Sequence, residues 1–354
     1  MNKIISFPHL GYYSVPISFV LKKLTTYEVR ESPPITKKTI ELGSKYAPDS
    51  VCVPFKYNLG NFIEALENGS NVIIQAGGGC RYGYYSEVQE KILKDLGYDF
   101  EFLNLIDSDH LKVFEVYKTF KKMNKNLNFF KFSYYALLTL LMIRYMDKID
   151  EIIRSRIGFS MNNKNFTDTK KKMLKEFANV NTFTSLTIKY FKYKRLFKKI
   201  RIFKPKNCLK IGIIGELYTA MEPFSNYFLE MELAKNNIEI KRFTDLSYLL
   251  FKKKRSKKKM LRAVKNYCTY SLGADGLDNV YRCWYLKKKN FDGIIHTKPF
   301  GCTPEIGAIP IIEKICNDNK MPIIFFSFDS QTSEIGIKTR LEAFYDMLAV
   351  KKGA

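Results

Sequence analysis

Apolar and polar positions along the chain fall into two alternating kinds of block. Short apolar runs at 3–7, 71–75 and 98–105 have strand length and stop at turn-forming residues. Between them, 13–24, 36–42, 61–66 and 86–96 carry apolar side chains at helical spacing, with Thr36 placed to cap the second of these helices. A further short strand is expected at 27–29, and 51–54 reads as another short strand or loop. The alternation resumes after residue 207. Strands are expected at 209–214, 238–240, 293–295 and 322–326, with helices at 226–235, 306–317 and 339–347.

Strand and helix in this order predict an α/β fold with open, largely parallel sheets. Over 107–206 glycine almost vanishes, and Lys, Phe and Tyr dominate at helical spacing. The expected organisation is an N-terminal α/β lobe (1–106), a helical linker or insert (107–206) and a C-terminal α/β lobe (207–354).

The 354 residues, 46% hydrophobic, suffice for two domains with their own cores. The longest apolar stretch, 132–143, is shorter than the ~20 residues needed to span a bilayer. The opening residues lack the pattern of a signal peptide, so a cytoplasmic protein is expected. Lys and Arg number 59 against 35 Asp and Glu, a formal charge of +24. Such a field suits nucleic acid, anionic lipid, an acidic protein or an anionic cofactor. No nucleic-acid-binding motif accompanies it, and solvated Lys-rich helices account for most of it.

Seven cysteines in a chain of this kind are core residues or ligands rather than disulfides. Three lie at expected strand ends or turns, where open α/β sheets hold their ligands. Cys52 precedes Val53-Pro54. Cys80 follows the glycines 77–79, which allow a sharp turn and close approach of backbone N–H groups to an anion. Cys302 lies in Lys298-Pro299-Phe300-Gly301-Cys302-Thr303-Pro304-Glu305, after a strand and before a helix, where a thiolate is stabilised. Each can equally be a buried thiol. Cys208, Cys268, Cys283 and Cys316 lack turn chemistry around them. The absence of a Cys-x-x-Cys pair disfavours zinc ribbons and ferredoxin loops. Of the histidines, His9 sits at a strand end, His110 is isolated, and His296 reads as part of the loop leading to Cys302, behind a ligand.

Four runs carry a resemblance: Pro33-Pro34-Ile35-Thr36-Lys37, Cys52-Val53-Pro54-Phe55-Lys56, Cys80-Arg81-Tyr82-Gly83-Tyr84-Tyr85, and the segment ending Cys302-Thr303-Pro304-Glu305. Together with Gly212-Ile213-Ile214-Gly215-Glu216 and Thr339-Arg340-Leu341-Glu342-Ala343-Phe344 they resemble the activase-associated branch of the 2-hydroxyacyl-CoA dehydratase / benzoyl-CoA reductase superfamily. The resemblance covers both lobes. It implies two Rossmann-like lobes with an iron–sulfur cluster in the cleft between them, and Cys52, Cys80 and Cys302 match the motif cysteines. A [4Fe-4S] cluster on three thiolates would leave one iron open. Some relatives hold a double-cubane cluster, for which Cys268 or Cys283 would have to contribute. Lys56, Gly79, Arg81 and Glu305 are the accompanying cofactor-binding candidates.

The implied partners are an ATP-hydrolysing iron–sulfur activator that supplies low-potential electrons, an acyl-CoA substrate, and a second copy or a related subunit. In the superfamily's dehydratases one electron makes a ketyl radical from a 2-hydroxyacyl-CoA. The chain departs from the family pattern at Asp329-Ser330-Gln331-Thr332-Ser333-Glu334, where Asp329, Gln331 and Glu334 are cleft candidates, and at Gly273-Ala274-Asp275-Gly276. The expected function is therefore an iron–sulfur redox protein for radical dehydration or reduction of an acyl-CoA. A non-catalytic electron-transfer or maturation partner is the alternative, and a basic nucleic-acid-binding protein a remote one.

Overall fold

A computed structural model describes residues 2–77, 80–105 and 112–353, which form two compact units, 1–142 and 143–354. In the first, strands β1 (Ile4–Ser6), β2 (Glu28–Val29), β3 (Val72–Gln75) and β4 (Glu101–Asn104) form a parallel sheet in the order β2-β1-β3-β4. The helices are α1 (Ser14–Leu24), α2 (Lys37–Tyr46), α3 (Val53–Glu67), α4 (Tyr85–Asp95) and α5 (Val113–Met123), and α6 (Phe129–Arg154) begins here. Alternation along β3 divides the core. Val72 and Ile74 pack with Phe7, Leu21 and Phe120 on one face, and Ile73 packs with Phe55, Phe62 and Leu93 on the other.

The second unit repeats the plan. Strands β5 (Lys210–Gly215), β6 (Glu239–Arg242), β7 (Gly293–Pro299) and β8 (Ile323–Phe328) are parallel in the order β6-β5-β7-β8. Its helices are α7 (Lys164–Ala178), α8 (Phe183–Lys199), α9 (Leu217–Met221), α10 (Leu229–Lys235), α11 (Lys253–Ala263), α12 (Gly276–Lys288), α13 (Thr303–Asp318) and α14 (Glu334–Lys352). In both sheets the strand order reverses between the first and third strands, the position at which such folds open a ligand crevice at the carboxyl ends. The expected α/β fold of two Rossmann-like lobes with parallel sheets holds.

Several local expectations need correction. Residues 51–52 are loop, one of the two readings, but Val53 and Pro54 already belong to α3, with Cys52 as its N-cap. Pro54 suits a first helical turn, where its missing N–H costs nothing. The helix is buried on nearly every side, which hides its 3.6-residue period. Helix α10 starts at Leu229, because Tyr227 and Phe228 take left-handed conformations (φ 53° and 55°) that interrupt the helix. Strand β7 runs on to Pro299, so His296 lies inside it and not in a following loop.

The N-terminus of α3 is held by an unusually close crossing with α2. A Cβ on Gly43 would lie 1.7 Å from the Lys56 carbonyl oxygen, and one on Gly60 1.9 Å from that of Thr39. At the same crossing Thr36 caps α2 in a capping box, and the Thr39 hydroxyl donates to buried Glu64 at 2.8 Å. Among the described residues no helix is long and apolar enough to cross a membrane.

Candidate metal centre

Cys52, the N-cap of α3, is half-buried, and its Sγ lies 2.9 Å from the Tyr85 hydroxyl. Cys80 is exposed, caps the short turn Arg81–Tyr84 ahead of α4, and accepts from the Tyr82 N–H at 3.4 Å. Tyr85 is wedged edge-on against Phe55, with ring centroids 4.8 Å apart. Burial pushes its hydroxyl well above the ordinary tyrosine range, and the neighbouring Cys52 and Cys80 push it in the same direction. It therefore stays protonated, a hydrogen-bond donor facing the thiols. Lys56 is half-buried in the first turn of α3, and Arg81 is exposed beside Cys80. Gly79 and His110 lie outside the described residues. The His9 backbone N–H donates to Asn61 Oδ1 at 2.8 Å.

In the second unit Cys302 is half-buried and caps α13, with Pro304 in the first turn. Gly301 takes φ +76°, which turns the chain from β7 into the helix. A buried polar network holds that helix terminus. His296 Nε2 lies 2.7 Å from Glu305 Oε2, and Asn279 Nδ2 donates to both Glu305 oxygens at 2.8 and 2.9 Å. Asn279 Oδ1 accepts from the Gly215 N–H and from Arg282, and Arg282 also donates to Thr244. Glu305 is 1% exposed, so its carboxylate faces this network and steadies the α13 terminus that carries Cys302.

Lys298 is also buried, at 6% exposure. Desolvation lowers its pKa, while Cys302 and Glu305 oppose the shift. At the end of β5, Glu216 caps α9 by accepting from the Tyr218 and Thr219 N–H groups, and its own N–H donates to Thr297 O at 2.9 Å. Desolvation, with Asp275 adding to it, pushes the Glu216 carboxyl up to about 7 against the pull of the capping hydrogen bonds. Asp329 and Gln331 form a turn after β8, where the Gln331 N–H donates to Asp329 Oδ1, and Glu334 opens α14. The roles of Tyr85, Asn279 and Lys298 are not apparent from spacing. His296, Thr297 and Lys298 stand together as polar residues in β7, the one sequence signal that touches this network.

The remaining four thiols are core. Cys208 is buried ahead of β5. Cys268 bonds the Tyr270 carbonyl oxygen at 3.1 Å, and the sulfurs of Cys283 and Cys316 are 3.5 Å apart between α12 and α13. The bond to Cys316 and burial raise the Cys283 pKa, the reverse of what a thiolate ligand needs. Within either unit, no three His, Cys, Asp or Glu side chains among the described residues gather as a metal site. An iron–sulfur cluster asks for accessible thiols in thiolate-favouring surroundings. By that chemistry Cys52, Cys80 and Cys302 fit, each at the N-cap position of a helical segment and none fully buried.

No curated protein matches the chain. The family model of the 2-hydroxyglutaryl-CoA dehydratase D-component matches residues 155–348, more than half of the sequence, including β5 to β8 and Cys302; Cys52 and Cys80 lie outside the matched span. The chain therefore belongs to the 2-hydroxyglutaryl-CoA dehydratase D-component family, within the 2-hydroxyacyl-CoA dehydratase superfamily, and is a dehydratase-subunit-like protein.

Proposed function

We propose that the chain is an iron–sulfur subunit for 2-hydroxyacyl-CoA chemistry, with Cys52, Cys80 and Cys302 as cluster ligands. A bound cluster supplies single low-potential electrons, delivered to it by an ATP-hydrolysing activator. A related second subunit and an acyl-CoA substrate complete the proposed assembly. The observation that carries the reading is the division of the seven thiols. The three at N-cap positions are accessible or half-buried, and the other four are buried among core side chains.

The protein's own groups have defined tasks in this scheme. Tyr85 donates to Cys52 and favours its thiolate. The helix dipole of α13 does the same for Cys302. The Glu305–His296–Asn279 network fixes the direction in which Cys302 is presented, while Lys56 and Arg81 supply positive charge toward an anionic cluster or a CoA phosphate.

Anaerobic reconstitution with ferrous iron and sulfide, followed by iron and sulfide assay and EPR of the reduced protein, tests the reading. Iron-loaded wild type and iron loss in Cys52→Ser, Cys80→Ser and Cys302→Ser are expected. A colourless, iron-free protein after reconstitution overturns it. Addition of an activator, ATP and a 2-hydroxyacyl-CoA then separates roles. Turnover marks a catalytic subunit, and reduction without turnover across several thioesters marks an electron carrier.

A further inference from the structure

We propose that Gln75 and Asn58 form a subsite for a hydroxyl group at the carboxyl end of β3, and that its occupant is the 2-hydroxyl of the acyl thioester. The proposal deepens the 2-hydroxyacyl-CoA reading and rests on it. Gln75 ends β3 and is 2% exposed, yet neither its Nε2 nor its Oε1 has a hydrogen-bond partner among the described residues. Asn58 of α3 is fully buried. Its Nδ2 donates to the Tyr82 hydroxyl, and its Oδ1 has no partner among the described residues. Buried amide atoms are as a rule paired, so these mark a place where a partner is expected.

Pleat and helix geometry bring the two side chains to one level. Ile73 packs with Phe55 and Phe62 of α3, so Gln75 projects from the same face of β3, about 7 Å nearer its carboxyl end. A short turn joins α3 to β3, so the helix runs the opposite way, and its N-terminus, with Cys52 as N-cap, lies at that end. Asn58 is three residues after Phe55 and four before Phe62, hence on their helix face and about 6 Å from Phe62 toward the same end. Asn104 lies opposite Gln75 in the parallel register, and its Nδ2 donates to Ser86 of α4 at 2.9 Å. Gln89, also on α4, leaves a further buried oxygen, Oε1, without a partner among the described residues.

All of these unpaired atoms belong to carboxamides, which suits an uncharged occupant rather than a phosphate or carboxylate. The Gln75 donor and the Asn58 acceptor are matched together by one group that both accepts and donates, as a hydroxyl does. The place agrees with the chemistry. It is the crevice in which open α/β sheets bind ligands, and Tyr85, the neighbour of Ser86, lies 2.9 Å from Cys52 Sγ.

The test titrates the full-length protein, under anaerobic conditions, with 2-hydroxyglutaryl-CoA and with glutaryl-CoA, which lacks only the hydroxyl, and reads binding by calorimetry. Wild type is expected to bind the hydroxy thioester about tenfold more tightly. Gln75→Met should abolish that preference and keep the affinity for glutaryl-CoA. Without ligand it should melt at or above the wild-type temperature, because an unpaired buried amide has been removed. A clearly lower melting temperature in Gln75→Met overturns the proposal, since the amide is then a structural group paired through water. A preference that survives the substitution overturns it too, as does wild type that binds both thioesters equally, a comparison that needs no variant. Wild type that binds neither thioester overturns the acyl-CoA reading itself, and the subsite with it.

Discussion

His296 Nε2 and Glu305 Oε2 lie 2.7 Å apart with both side chains excluded from solvent, joining strand β7 to the first turn of α13. Removing the imidazole leaves a buried carboxylate supported by Asn279 alone, together with a cavity. His296→Ala is expected to cost about 3 kcal/mol, whereas Glu305→Gln, which keeps the shape and an acceptor, should cost about 1 kcal/mol. Urea unfolding followed by circular dichroism measures both. Equal losses would show that the pair is not acting as a buried charge-assisted bond.

The crossing of α2 and α3 leaves no room for a methyl group at Gly60, because its Cβ would meet the Thr39 carbonyl oxygen at 1.9 Å. Backbone cannot yield there as a flexible side chain would. Gly60→Ala should destabilise by about 3 kcal/mol and, by shifting α3, reduce iron uptake through Cys52. Gly97→Ala, at a positive φ of 89° with open space around it, should cost about 1 kcal/mol and leave iron uptake alone. Indistinguishable melting of these two variants would contradict the steric argument.

The pH dependence of stability should carry the mark of Glu216. Its carboxyl, at about 7 in the fold against an ordinary 4.5, holds a proton more tightly folded than unfolded. Ionisation therefore opposes folding. The effect is absent below about 4.5, grows as pH rises, and is complete above about 7. Glu216→Gln removes this slope, so its melting temperature relative to wild type should climb between pH 5 and 7.5. A constant difference across that window would refute the assignment.

The pairing of Cys283 with Cys316 inside the α12–α13 core makes another prediction. Cys283→Ala, Cys316→Ala and Cys268→Ala should leave the iron content of reconstituted protein unchanged, with a loss of about 1–2 kcal/mol in stability each. Iron loss in Cys268→Ala or Cys283→Ala would instead indicate a larger cluster that uses these thiols.

Much of this was readable from sequence because the signals are local. Thr36 as a cap, the strand at 72–75 and the turn at Gly301-Cys302 depend on neighbours within a few residues. The start of α3 was not readable, because a helix buried all round has no polar face to reveal its period. Glu305 could be placed in the right turn but not aimed. Its partner Asn279 comes from α12, and only the fold brings that side chain to it.

The matching strand orders of the two sheets bear on how firmly the proposed ligands are tethered. β3 and β7 are each hydrogen-bonded on both sides, so their amides should be among the slowest to exchange with solvent deuterium. Cys302 follows β7 after only Phe300 and Gly301, whereas a longer segment separates Cys80 from β3. Cys302 thus stands within three residues of a strand bonded along both edges, and its position is inherited from the sheet itself rather than from a loop.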